Sequence, residues 1–140
     1  MPMLMYYDAR PSLFNGIFGQ HYEKLKPYYS FAAFAALRRL GTQVACDCGE
    51  DHLYALAAKG KNDGAILLTY FDDEGKSGDK KEVCLSVTRD TDAPVSVDFY
   101  LLDDNNDLTL MRREYISTKK AELFTELPLY GTYLVKLTAL

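Results

Sequence analysis

Residues 3–41 read MLMYYDARPSLFNGIFGQHYEKLKPYYSFAAFAALRRLG, and their pattern is one strand, one loop and one helix. Leu4–Tyr7 is an unbroken apolar run without the alternation of a half-exposed strand. Such a run suits a strand covered on both faces, as in parallel sheets. Asp8-Ala9-Arg10-Pro11-Ser12 ends it, because Pro11 has no N–H to give to a ladder. Leu13–Lys26 is then a loop of about 14 residues carrying Phe14, Asn15-Gly16, Phe18, His21 and Tyr22, and loops of that length are often functional. A helix is expected from Pro27 or Tyr28, since proline suits a first turn. Phe31, Phe34, Leu37 and Leu40 recur every three residues among alanines, the best helix formers, and are expected to pack on the rest of the chain. Arg38 and Arg39 fall in the last turn, where the helix dipole favours cations, and Gly41 is the expected C-terminal cap.

After Gly41 the period changes. Thr42–Asp47, Leu53–Lys59, Ala65–Phe71, Glu82–Thr88, Val95–Leu102, Leu108–Ile116, Ala121–Leu127 and Thr132–Thr138 each have strand character. Turn residues separate them at Lys61–Gly64, Asp72–Lys80, Thr91–Pro94, Asp103–Asp107 and Leu129–Gly131. About eight short strands at this spacing predict a mainly β fold: an antiparallel β-sandwich preceded by a strand–loop–helix segment. The polar stretches Asp72–Lys80 and Asp103–Asp107 are expected at hairpin tips. The expected division is 1–41 for the leading segment and 42–140 for the sandwich. A lone strand–loop–helix before a β domain makes better sense as the end of something larger.

Composition narrows the function. With 140 residues the chain can bury a real core, and its formal net charge of -4 argues against nucleic acid as a partner, because phosphate binding needs a basic surface. No apolar run approaches the roughly 20 residues that span a bilayer, so no membrane partner is expected. The 3 cysteines, Cys46, Cys48 and Cys84, form an odd set without a visible secretion signal, which slightly favours a cytoplasmic setting. Cys46-x-Cys48 with His52 and Cys84 has zinc-ligand types, but residues two apart on a strand point the same way. Val44, Cys46 and Cys48 are expected to share an inward face instead, and no metal or cofactor is predicted. Asp72, Asp73, Glu74 and Asp79 are oxygen donors of the kind calcium takes, yet Lys76, Lys80 and Lys81 neutralise them and the EF-hand pattern is absent.

No catalytic constellation is complete. Carboxylate pairs that could run glycoside hydrolysis occupy no distinctive setting among the 20 acids, and no nucleophile elbow accompanies the two histidines, His21 and His52. The 11 Tyr and 7 Phe include a concentration in the early loop. Tyr6, Tyr7, Asp8, Arg10, Phe14, Asn15, Phe18 and Tyr22 bring together flat faces and hydrogen-bonding groups, as sugar recognition requires. Equally, Phe14, Ile17 and Phe18 serve to anchor the loop to the helix.

Tyr6–Ser12, then Phe14–Phe18, then Leu25–Tyr29 leading into Phe31 and Phe34, resembles the C-terminal end of a clan-A glycoside hydrolase barrel of the family 39 kind. Leu53–Lys59 followed by Gly64–Tyr70 resembles the accessory β-sandwich behind such barrels. Phe14 stands where that pattern carries tryptophan. The resemblance implies that residues 1–41 are the last βα unit of a (β/α)8 barrel, whose βα loops build the active-site face. Tyr7, Asp8, Arg10, Phe14 and Asn15 would then be substrate-binding residues in the intact enzyme. Its two catalytic glutamates would lie on earlier strands that these residues do not include, so this polypeptide is not expected to be an enzyme by itself. The implied partners are the catalytic barrel, residues from before the barrel that can complete the sandwich, and a glycan. Without a barrel, residues 4–7 are expected to be disordered, to fold on the sandwich or to self-associate. The rival expectation is a free-standing carbohydrate-binding or protein-interaction sandwich.

Overall fold

The computed structural model describes residue 11 and residues 16–140. The expected strand at residues 4–7, and most of the loop after it, lie outside the described residues. The helix α1 spans Lys26–Leu40, with proline in its first turn and Arg38 and Arg39 in its last. Gly41 takes φ 90° and donates its N–H to Arg38 O at 3.2 Å, a left-handed cap that only glycine adopts without cost. Eight strands come after it: β1 (Thr42–Val44), β2 (Leu53–Lys59), β3 (Gly64–Tyr70), β4 (Lys80–Thr88), β5 (Val95–Leu102), β6 (Asp107–Ile116), β7 (Lys120–Pro128) and β8 (Thr132–Ala139).

All pairings are antiparallel. Six strands form one sheet in the order β1-β2-β3-β8-β5-β6, and β4 pairs with β7 as a two-stranded ribbon. The ribbon covers one face of the large sheet. Val97, Phe99, Leu68, Tyr133 and Val135 meet Leu123 and Leu127 from β7 in the main core, with Val83, Leu85 and Val87 of β4 packed at its margin. The helix covers the other face, where Ala33 and Leu37 pack with Ala58, Ala65 and Leu134. This double cover explains why β5 is buried along nearly its whole length: a strand between two layers has no solvent face. Its second face holds Asp98, which is buried and receives Arg113 Nε and a terminal guanidinium N–H at 2.5 and 2.8 Å.

Three expectations are corrected. The helix does not dock through its phenylalanines. Ala33 and Leu37 are the buried positions, whereas Phe31 and Phe34 are 38% and 47% exposed. Small side chains at Ala33, Ala58 and Ala65 let the helix axis approach the sheet closely, and the larger rings are displaced to the flanks. Second, Asp72–Lys80 is no hairpin tip. It carries the chain from β3 in the large sheet to β4 in the ribbon, while Asp103–Asp107 does turn the β5–β6 hairpin. Third, β1 ends at Val44, so Val44, Cys46 and Cys48 do not line one inward face: Cys46 is exposed, and Cys48 packs at the margin of the main core. At the β7–β8 turn an added Cβ on Gly131 would lie 2.7 Å from Pro128 Cγ and 2.8 Å from Pro128 O, so that turn is closed to other residues.

Candidate functional site

Tyr7, Asp8, Arg10, Phe14 and Asn15 lie outside the described residues. Residues 17–25, next along the chain, make a small folded unit. Phe18 bridges Lys24, Gly19 N–H donates to Glu23 O at 2.9 Å, and Leu25 N–H donates to Ile17 O at 3.1 Å. Phe18 packs against Tyr28 with centroids 5.7 Å apart, and Tyr28 meets Tyr29 edge-on at 5.3 Å. Phe18 therefore does anchor the end of the loop to the helix. Lys26 Nζ reaches Asp107 Oδ1 at 2.6 Å and Asn106 O at 3.2 Å, tying the helix start to the tip of the β5–β6 hairpin.

A groove of about 1170 Å³ lies beside β4. It arises because the ribbon has two strands and the sheet beneath it has six. Strand β4 pairs only with β7 among the described residues, so its other edge keeps unpaired backbone groups. Ala55, Ala57, Ile66 and Leu68 form part of the groove lining on the large sheet, with Val83 and Leu85 on β4. Ion pairs close over its two ends: Lys81 Nζ lies 2.9 Å from Glu50 Oε2, and Lys59 Nζ lies 2.7 Å from Asp90 Oδ2. The opposite flank of the ribbon is sealed differently. Arg112 of β6 lies over the Phe99 ring at 4.0 Å and donates to Phe124 O of β7 at 2.5 Å.

All three cysteines line this groove. Among the described residues, no group of three or more His, Cys, Asp and Glu side chains is placed to hold a metal ion. Partial burial, then Cys46 and Asp47, push the Cys48 thiol up, away from the reactive thiolate.

The acidic stretch has a structural use that its charges did not disclose. Asp72 is 2% exposed. Its Oδ1 accepts the Glu74 N–H at 2.9 Å, and its Oδ2 accepts the Lys76 and Ser77 N–H groups at 3.0 and 2.7 Å. Hydrogen bonds from the Ser77 side chain and backbone, then from the Glu74 N–H, with a smaller electrostatic contribution from the nearby His52, hold this carboxyl far below the usual range; burial opposes them and loses. One carboxylate thereby sets the course of the crossing from sheet to ribbon.

No family model matches this chain, and no curated protein sequence matches it. Solved structures do. A glucosidase from Croceicoccus marinus superposes with TM-score 0.74 at 16% identity, over 91% of this chain and 34% of its own. A GH30 endoxylanase from Clostridium papyrosolvens C71 gives 0.69 at 18% identity, over 89% and 31%. The GH39 enzyme from Xanthomonas axonopodis pv. citri gives 0.71 at 9% identity, over 90% and 32%. The fold is thus one found within glycoside hydrolases, and this chain spans about a third of the length of the solved chains it matches.

Proposed function

We propose that this chain is the non-catalytic accessory part of a glycoside hydrolase: a β-sandwich, residues 42–140, that supports a catalytic barrel whose last βα unit is residues 1–41. The observation that carries the reading is the coverage. Enzymes that act on glycosides match nearly all of this chain with about a third of their own length. Two features of the surface agree with it. The flank of α1 presents Phe34 half-exposed, an apolar surface suited to a neighbouring layer. The groove beside β4 offers an unpaired strand edge over an apolar floor, which suits an extended segment from elsewhere in a longer enzyme. In that enzyme Tyr7, Asp8, Arg10, Phe14 and Asn15 would line the substrate cleft, and the hydrolytic carboxylates would come from barrel strands outside this sequence. A glycan is a partner of the whole assembly, through the cleft.

The test is the coding sequence upstream of Met1. An in-frame barrel-coding region there, intact or interrupted, is the expected finding. Co-expression of that region with residues 1–140 should then give a soluble complex that hydrolyses aryl glycosides, while residues 1–140 alone should not. A promoter directly upstream, with no barrel-coding region, would overturn the reading.

A further inference from the structure

The strand registers define the two ends of the molecule. The start of α1 lies at one end together with the starts of β2, β4, β6 and β8 and the ends of β3, β5 and β7; Leu40, Lys59, Val95 and Ile116 mark the other. All four non-glycine residues with left-handed backbone, among the described residues, gather at the helix-start end: Tyr22 (φ 62°), His52 (φ 65°), Leu108 (φ 58°) and Tyr130 (φ 62°). Such conformations disfavour side-chain-bearing residues, and they concentrate where a fold is built for a purpose besides stability.

The same end carries four exposed rings, while Tyr115 and Phe124 are exposed elsewhere. Tyr22 is 76% exposed, Tyr54 58%, Phe71 45% and Tyr130 56%. The left-handed residues hold two of these rings in place. His52 O accepts the Phe71 N–H at 2.9 Å, Tyr130 N–H donates to Tyr70 O at 2.9 Å, and the Phe71 and Tyr130 rings meet at 5.9 Å. Tyr54 is paired opposite Thr69, two residues before Phe71 and so on the same face of the sheet, and Thr69 is paired with Thr132. The Thr69 and Thr132 hydroxyls lie 2.9 Å apart in the row beside Tyr54. The Asp72 lock and the bond from the Tyr70 hydroxyl to Gly78 O at 2.8 Å fix the loop behind them.

We infer that this end is a saccharide-binding edge, on which Tyr54, Phe71 and Tyr130 stack against the sugar rings of an uncharged glycan. A pyranose ring offers an apolar C–H face and a rim of hydroxyls. Separate exposed aromatic rings with a hydroxyl pair in the row beside Tyr54 answer both, as in sites where aromatic walls carry a few oriented polar groups. The electrostatics choose a neutral ligand. Lys26, Lys76 and Lys80 are each paired with a carboxylate at 2.6 Å, and Asp73, Asp79, Asp103 and Asp104 add negative charge around them. A phosphate or an acidic polysaccharide meets net negative charge here among the described residues. The hydrogen bonds that hold Phe71, Tyr130 and the loop behind them reduce the ordering left to do on binding. The inference is independent of the barrel: a free-standing module would bind through the same edge.

The experiment is an amide chemical-shift titration of the whole chain with xylohexaose, cellohexaose and laminarihexaose, with an oligogalacturonate as the acidic control. At least one uncharged hexasaccharide should shift the amides around Tyr54, Phe71 and Tyr130 with millimolar affinity, and the acidic sugar should not. Tyr130→Gly removes a ring while keeping a left-handed backbone that glycine accepts, so it preserves the fold; it should weaken binding about tenfold. Tyr54→Ala should do the same from the neighbouring strand. The inference is overturned if no neutral sugar moves these amides up to its solubility limit, or if the shifts persist in both variants. Perturbation of this end by an apolar dye alone, without any sugar, would overturn it too and make the end a protein contact.

Discussion

The docking of α1 through alanines makes a quantitative prediction, because it ranks two residues in the order opposite to their size. Leu37 is 3% exposed and sits against Ala33, Ala58, Ala65 and Leu134. Leu→Ala in a core costs about 2–5 kcal/mol, and the spread reflects how far neighbours collapse into the hole. Here Ala33, Ala58 and Ala65 have no reach to fill the hole, while Leu134 and the flanking Leu56 and Leu67 relax into part of it, so Leu37→Ala should cost about 3 kcal/mol, near the middle of that range. For a chain of this length that lowers the melting temperature by about 10 °C. Phe34 is 47% exposed, so truncating it forfeits at most about half of the roughly 1.5–3 kcal/mol that a fully buried side chain gains. Phe34→Ala should cost about 1 kcal/mol. Urea unfolding followed by far-ultraviolet circular dichroism gives both numbers in one series. If Phe34→Ala costs as much as Leu37→Ala, the helix docks by its aromatic face and the reasoning is wrong. In a barrel complex the order should change, since Phe34 would then be covered.

The polar anchors and the open edge give further expected outcomes. The Asp72 carboxyl has a depressed pKa in the folded chain, so its stabilisation is complete above the ordinary aspartate pKa near 3.9 and is lost as pH falls through the lower folded value. Acid unfolding of Asp72→Asn should therefore lack a component that the native chain shows below about pH 4, and identical acid profiles would exclude the lock. The hydrogen bonds from Arg113, opposed by burial, likewise depress the Asp98 carboxyl. Arg113→Met should shrink the acid-dependent part of stability, and Arg113→Met with Asp98→Asn should be more stable than Arg113→Met alone, because the double variant leaves no unpaired buried charge; equal stability of the two in urea unfolding would count against the pair. Alternate amides of β4 should exchange with solvent far faster than their neighbours bonded to β7. Uniform protection along β4 in a dilute monomer would mean that its edge is already covered.

Much of the fold was written locally. The apolar runs Leu53–Lys59 and Val95–Leu102, bounded by turn residues, match the observed strand bounds, because such runs need no knowledge of the partner strand. Gly41 marks the helix end for the same kind of reason. Layer assignment was not local. The alternation of Val83, Leu85 and Val87 declares an inward face, yet nothing in it says that β4 leaves the sheet of β3, so local pattern alone places the Asp72 stretch at a hairpin tip. The helix face misled through chemistry. Phenylalanine carries the strongest apolar signal and alanine almost none, but a sheet surface of Ala58 and Ala65 accepts the small residue. As for function, Tyr7, Asp8, Arg10, Phe14 and Asn15 stand on resemblance. The ring-bearing end escaped the sequence because Tyr54, Phe71 and Tyr130 are far apart along the chain, and left-handed backbone at histidine or tyrosine has no composition signal.

The alanine contact between helix and sheet has a mechanical consequence. Ala33 packs with Ala58 and Ala65 across the two layers, with Leu37 and Leu134 beside them, so α1 behaves as a spacer of set thickness. Anything resting on its far side inherits that spacing. Enlarging one methyl, as in Ala58→Val, would leave every strand pairing intact and push the helix outward or tilt it. A neighbouring layer seated on Phe34 would be rotated as a body relative to the sheet. Substitutions buried deep in a layer with no part in chemistry would then alter the alignment of that neighbour, with the sheet as the fixed reference.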